Sequence, residues 1–118
     1  MKLGFKKQFV DPIKNGTKIH SIREDEHDRW KAGNIIHFAT GVRTKYYNCF
    51  FEDVCKSTQD FEIVYDDEPF VYIDGKILWV EEIELLAKHD GFNSMEDFFK
   101  WFDKDFKGKI IHWTDFRY

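Results

Sequence analysis

A small, mostly antiparallel β-barrel closed by about three helices is the fold this sequence predicts, an α+β chain in which β dominates. Three observations carry that reading. Six or seven short apolar runs recur between tight turns. Asp74-Gly75 stands between two of them as a type I′ hairpin signal. The extended apolar patterns at helical spacing come late in the chain. With 118 residues and 14.3 kDa, the chain reads as one domain spanning 1–118.

Leu3 to Phe9 opens the chain as a strand. Asp11-Pro12 then supplies an N-cap and first helical position for a short helix that Gly16 ends. Lys18 to Arg23 is strand-like, Glu24 to Asp28 a charged loop, and Gly33-Asn34 a turn into the strand Ile35 to Thr40. Tyr46 to Val54 forms a further strand. Phe61, Ile63 and Tyr65 alternate with Glu62 and Val64 in a half-buried one. After the hairpin 70–78, Trp79, Ile83, Leu86 and Ala87 share one side of a helix that Asp90-Gly91 breaks. Ser94 with Asp97 caps the next helix, where Met95, Phe98, Phe99, Phe102 and Phe106 form a buried stripe. Gly108 opens a last strand, Lys109 to Thr114.

Aromatic residues reach 19% (Phe 13, Tyr 5, Trp 4), enough bulky carbon to fill a small core without staples. The net charge of −4 argues against a general DNA-coating or polybasic membrane-surface protein. The charge is uneven, however: residues 1–31 carry a net +3 and the remainder −7, so an anionic ligand would be expected near the N-terminal segment, although charge alone favours a plain solvated face there. No apolar stretch approaches a membrane span, and Lys6 and Lys7 interrupt what would be the apolar core of an export signal. A cytoplasmic location with Cys49 and Cys55 as reduced thiols is therefore expected. No C-x-x-C pair and no helix-spaced histidine pair occurs among His20, His27, His37, His89 and His112, so no metal ligands and no cofactor are expected.

The segment Gly16-Thr17-Lys18-Ile19-His20-Ser21-Ile22-Arg23 concentrates an amine, a hydroxyl and a guanidinium behind a glycine. Lys and Arg together suit a phosphate or carboxylate. A lysine beside a serine also makes a nucleophile–base pair when burial or a second cation keeps the amine neutral. On a regular strand Lys18 and Ser21 face opposite ways, so a shared site requires Lys18 to precede the strand or a bulge to separate them.

Gly-x-Lys-x-x-Ser-x-Arg after a short helix resembles the G-x-K-x-x-(T/S)-x-R signature of ASCH domains. The likeness continues in Gly33-Asn34-Ile35, in Asp90-Gly91-Phe92 between two helices and in the apolar closing strand around Ile110-Ile111, so it covers nearly the whole chain. The resemblance implies a barrel like that of the RNA-binding PUA domains, with a cleft between barrel and helices suited to RNA or a nucleoside. Some small bacterial members are amidohydrolases that deacetylate 4-acetylcytidine with a lysine, a threonine and a glutamate. Carried over by position, these fall on Lys18, Ser21 and Asp90, the last one carbon shorter in reach than glutamate.

Arg23, His20, Gly16 and Trp30 are the candidate ligand contacts, Trp30 either as a stacking face or as a plug at the barrel end. Arg43 and Lys45 lie in a loop within reach of a phosphate. Two functions follow. A binding module would hold RNA or a modified nucleoside or nucleotide through Lys18, Ser21 and Arg23. An enzyme would use Ser21 as nucleophile, Lys18 as base and Asp90 to protonate the leaving amine of an N-acylated cytidine. Binding ranks first because the expected glutamate is an aspartate. A protein-interaction role for the acidic surface is the third reading.

Overall fold

The computed structural model describes all 118 residues. Eight strands and three helices follow in the order β1 (Lys2–Gly4), α1 (Val10–Asn15), β2 (His20–Arg23), β3 (Ile35–Thr40), β4 (Asn48–Val54), β5 (Ser57–Asp66), β6 (Glu68–Ile73), β7 (Lys76–Ile77), α2 (Val80–His89), α3 (Met95–Trp101) and β8 (Phe106–His112). The fold is mostly β, as the alternation of short apolar runs requires. The barrel is not closed. Its strands fall into two sheets, one of three strands in the order β1-β3-β4 and one of five in the order β2-β8-β5-β6-β7. Nor is every pair antiparallel, since β1 runs parallel to β3.

Five local expectations change, the first being the start of α1, whose N-cap is Phe9, so that Asp11 and Pro12 lie inside the helix. The first strand stops at Gly4, because Lys7–Phe9 tightens into a 3₁₀ turn leading straight into α1. Trp79 precedes α2 and is 69% exposed, while Ile83, Leu86 and Ala87 do form the buried face. Its backbone N–H donates to the Glu82 carboxylate at 2.9 Å, which fixes it as the residue before the helix. Phe106 belongs to β8 rather than to the helical stripe, and Gly108 lies inside β8 instead of opening it. Ser94 does cap α3, its Oγ accepting from Asp97 N at 3.1 Å.

The core is continuous and aromatic. Phe38, Ile63, Phe98 and Ile111 are fully buried, and Ile83 and Phe102 nearly so. Phe38 joins the two sheets. From β3 its ring meets Trp113, just past β8, edge-on at 4.7 Å, and stacks on Phe5 at 5.7 Å. Such contacts add to area burial because the positive ring edge meets the negative ring face. Across the other end, Phe61 of β5 packs on Phe98 and Phe102, and Tyr65 donates its hydroxyl proton to the Phe102 carbonyl.

Phe38→Ala should therefore lower stability by about 3–5 kcal/mol, the usual loss for a truncated core aromatic. Equilibrium denaturant unfolding measures it, and a loss below about 1 kcal/mol would show that the sheets do not depend on this ring.

Candidate functional site

Gly16 terminates α1 in the left-handed conformation (φ +84°), and Thr17 N and Lys18 N both donate back to Pro12 O at 3.0 Å. This turn aims the chain at the end of α2, where Ile19 N donates to His89 O at 2.9 Å. Strand β2 begins only at His20, so Lys18 precedes it. That satisfies the geometric condition for Lys18 and Ser21 to share a site. Ser21 and Arg23 are two residues apart on β2 and share one face.

Asp90 arrives by a second local device. Gly91 N donates to Lys88 O at 3.0 Å and Phe92 N to Ala87 O at 2.9 Å, the paired bonds of a Schellman motif with Gly91 left-handed at φ +92°. The Asp90-Gly91-Phe92 tripeptide thus has a physical reading. The glycine turns the chain, the aspartate enters the interior, and the phenylalanine packs back against the molecule.

Lys18, Ser21, Arg23 and Asp90 meet in one cleft of about 540 Å³, walled by Phe5, Phe9, Phe92 and Trp101. Lys18 is 2% exposed and Asp90 4%. Lys18 Nζ donates to the Asp90 carbonyl at 2.6 Å and to Asp90 Oδ1 at 3.1 Å. The carbonyl lies at the negative end of α2, so carboxylate and helix end both favour the ammonium. Its charge also sits 4.9 Å from the Phe9 ring centre. Burial pulls the Lys18 amine below its ordinary value, Asp90 pulls it back up, and Arg23 pushes it down again.

Arg23 is committed on two sides. Nε donates to Ser21 Oγ at 3.0 Å and Nη2 to Gly4 O at 2.6 Å, with the guanidinium 4.8 Å from the Phe5 ring centre. Of its five N–H groups three remain for a ligand. The Ser21 hydroxyl accepts from Arg23 and has no acceptor for its own proton, and Asp90 Oδ2 has no partner. No hydrogen bond joins Lys18 to Ser21. The cleft edge therefore offers donors at Ser21 and Arg23 and an acceptor at Asp90.

Behind this edge lies a buried polar chain. Asp90 Oδ1 only accepts, so His20 Nδ1 carries the proton donated to it at 3.1 Å, and His20 Nε2 accepts from the Tyr118 hydroxyl at 2.5 Å. The same hydroxyl accepts from His89 Nδ1 at 3.2 Å. His20 is fully buried behind Asp90 and does not line the cleft, and burial lowers its pKa. Next to it His112 Nε2 donates to Gln59 Oε1 at 3.0 Å, which also accepts from Tyr118 N at 2.9 Å. His112 Nδ1 is buried with no partner. Sequence reading missed Gln59, His89, His112 and Tyr118 as parts of this assembly. Only the run of unexplained histidines signalled it.

The remaining candidates lie elsewhere. Gly16 shapes the approach of Lys18 but is exposed and outside the cleft. Trp30 is 7% exposed in the core, away from the cleft, and its loop is tied down by Asp25 Oδ2 accepting from Trp30 N at 3.0 Å. Arg43 and Lys45 are exposed in the loop after Gly41, and the lysine lies over the Tyr46 ring. No protein-family model matches the chain, and comparison with curated proteins and with solved structures finds no match either.

Two outcomes follow from this geometry. A Cβ on Gly91 would lie 3.0 Å from Lys18 Cδ and 3.1 Å from Phe9 Cδ1, whereas one on Gly16 would meet nothing within 4 Å. Both glycines are left-handed, which costs another residue about 1–2 kcal/mol. Gly91→Ala should therefore destabilise more than Gly16→Ala, by roughly a further 1 kcal/mol of overpacking, in parallel denaturant titrations. Equal losses would show that Lys18 and Phe9 yield freely.

Acid stability is the second. Burial and the neighbouring His20 hold His112 down to about 3 in the folded chain, while unfolded histidine titrates near 6.5. The unfolded state thus binds the proton first, and stability present above pH 6.5 is lost as pH falls toward 3. The loss from this residue amounts to up to about 5 kcal/mol at the acid end. His112→Gln keeps a donor toward Gln59 without the titrating ring, so its stability should fall less steeply across that window. Identical slopes for wild type and variant would refute the assignment.

Proposed function

We propose that the chain is an ASCH-type domain of PUA-like architecture that binds RNA or a modified nucleoside or nucleotide by one base in the cleft of Lys18, Ser21, Arg23 and Asp90. The observation that carries this reading is the pairing, in one cleft, of a donor–acceptor edge with an aromatic wall. Asp90 Oδ2 suits the exocyclic amine of a cytosine-like base, and Ser21 and Arg23 suit its ring nitrogen and carbonyl. Trp101, 45% exposed at the wall, gives a face on which a planar ring stacks. The volume of about 540 Å³ lies within the roughly 300–1,000 Å³ of small-ligand sites. The signature Gly16-x-Lys18-x-x-Ser21-x-Arg23 supports the family assignment, since its polar members line the cleft and its glycine sets the turn that brings Lys18 there.

Binding is preferred to catalysis on a second observation. A serine nucleophile needs its base within hydrogen-bond reach. Here Ser21 Oγ accepts from Arg23, a donor-only group that cannot take the serine proton, and Lys18 is held by Asp90 instead. The amidohydrolase reading requires Lys18 to leave Asp90 and reach Ser21 when substrate enters.

Calorimetric titration of cytidine, 4-acetylcytidine and a short single-stranded RNA tests the proposal. Arg23→Ala should weaken nucleoside binding by about 1.5–3 kcal/mol and Ser21→Ala by about 1 kcal/mol. Affinity for the nucleosides should be nearly indifferent to salt, because phosphate contacts alone make it steep. Hydrolysis of 4-acetylcytidine by the wild type, lost in Ser21→Ala, would replace binding by catalysis. Absence of both binding and turnover would remove the nucleoside reading.

A further inference from the structure

The outer face of the three-stranded sheet carries a second cluster, remote in sequence from the cleft signature. His37 on β3 and Glu52 on β4 are direct cross-strand partners, and His37 Nδ1 donates to Glu52 Oε1 at 3.1 Å. Cys49 joins them because β4 is bulged. The register slips between Phe38 and Ala39, so Phe38 pairs with Phe51 while Ala39 pairs with Cys49. Phe50 is the extra residue. Its ring and that of Phe51 both pack against Phe38, so two successive side chains turn to the core. Regular alternation would have put Phe50 beside Glu52 on the outer face and turned Cys49 inward. The bulge instead returns Cys49 to the face of His37 and Glu52. One imidazole nitrogen, the thiol sulfur and one carboxylate oxygen then lie within 4.8 Å of one another.

We propose that His37, Cys49 and Glu52 form a binding site for a divalent cation of the zinc class. Thiolate, imidazole and carboxylate are the donor types that zinc takes, and thiolate sulfur discriminates against magnesium and calcium. An ionised thiol and carboxylate with a neutral imidazole balance the charge of one divalent ion. Three protein ligands leave a fourth tetrahedral position to water. The donors are exposed or half-buried, so the ion has open access. Lys2, paired with His37 across the parallel ladder, is the nearest cation on this face by register. Its ammonium lies over the Tyr47 ring, 4.8 Å from the ring centre. No linear spacing rule reveals this set, because its members come from two strands and one depends on a bulge.

The test uses the full chain, freed of metal by chelator and kept reduced. Zinc titration should saturate at one ion per chain, with affinity rising with pH because the thiol proton must leave. Cobalt as a spectroscopic substitute should give a sulfur-to-cobalt charge-transfer band together with the strong visible bands of a tetrahedral site. Cys49→Ser should abolish the charge-transfer band. Cys49→Ser and His37→Ala should each weaken zinc by at least the roughly 10–100-fold that loss of even an outer-shell partner costs. Glu52→Gln should weaken it too, and His89→Ala, in the other histidine cluster, should leave it unchanged. Zinc should also slow alkylation of Cys49 by iodoacetamide. The proposal is overturned by absence of saturable binding, by a charge-transfer band that survives Cys49→Ser, or by a zinc affinity that only His89→Ala reduces. Circular dichroism of each variant separates a lost ligand from a lost fold.

Discussion

The contact between Lys18 and the end of α2 organises the molecule. It places an ammonium, a carboxylate and a helix-terminal carbonyl together where water is nearly absent. Removing either partner from such a pair strands the other charge, at a cost of about 3–5 kcal/mol. The backbone bond from Ile19 to His89 fixes the same approach, so β2 and α2 are joined twice within a few residues. Both strand and helix end then present their polar groups to one side. The aromatic wall exists because Phe9 precedes this junction and Phe92 follows it, their rings 5.7 Å apart.

A small core that buries Lys18, His20, Asp90, Gln59 and His112 departs from the rule that such groups stay in water. Nearly every polar atom is nonetheless matched, through Asp90 to His20, through His20 to Tyr118 and through Tyr118 and His112 to Gln59. A network of this kind is tolerable only when nearly complete, and His112 Nδ1 is the one polar side-chain atom fully cut off from solvent that lacks a partner. The half-buried His89 is its link toward solvent. The cleft edge is thus backed by rigid, mutually oriented dipoles rather than by loosely packed side chains.

Local chemistry was legible in the sequence where it acts over a few residues. Gly16 as a helix end, Ser94 as a cap, Asp90-Gly91 as a break and the burial of Phe98 and Phe102 follow from period and turn chemistry. The resemblance puts Lys18 and Ser21 on one site, and strand alternation adds the condition that Lys18 precede the strand or a bulge separate the two. Long-range facts were not legible. Nothing local says that β1 pairs in parallel with β3, so that the sheets stay separate. Trp79 fits a helical period yet stands outside the helix, and Phe106 fits the stripe yet belongs to a strand. Tyr118 and Gln59 join the network through pairing of distant segments, and the slip at Phe38 depends on how two phenylalanines fill the core.

The cleft draws on both ends of the chain, residues 4–24 and 90–106, with the 41–42 turn between them. Strand β2, which brings Ser21 and Arg23 to it, is held by its ladder with β8, in which His20 meets His112 and Arg23 meets Lys109. Such remote pairings close the largest loops and are the slow kind to form. A folding intermediate that had built only the central β5–β6 hairpin would carry no recognition surface at all. The cleft is consequently a property of the finished topology, and an occupant of it would stabilise the whole molecule by mass action rather than one segment of it.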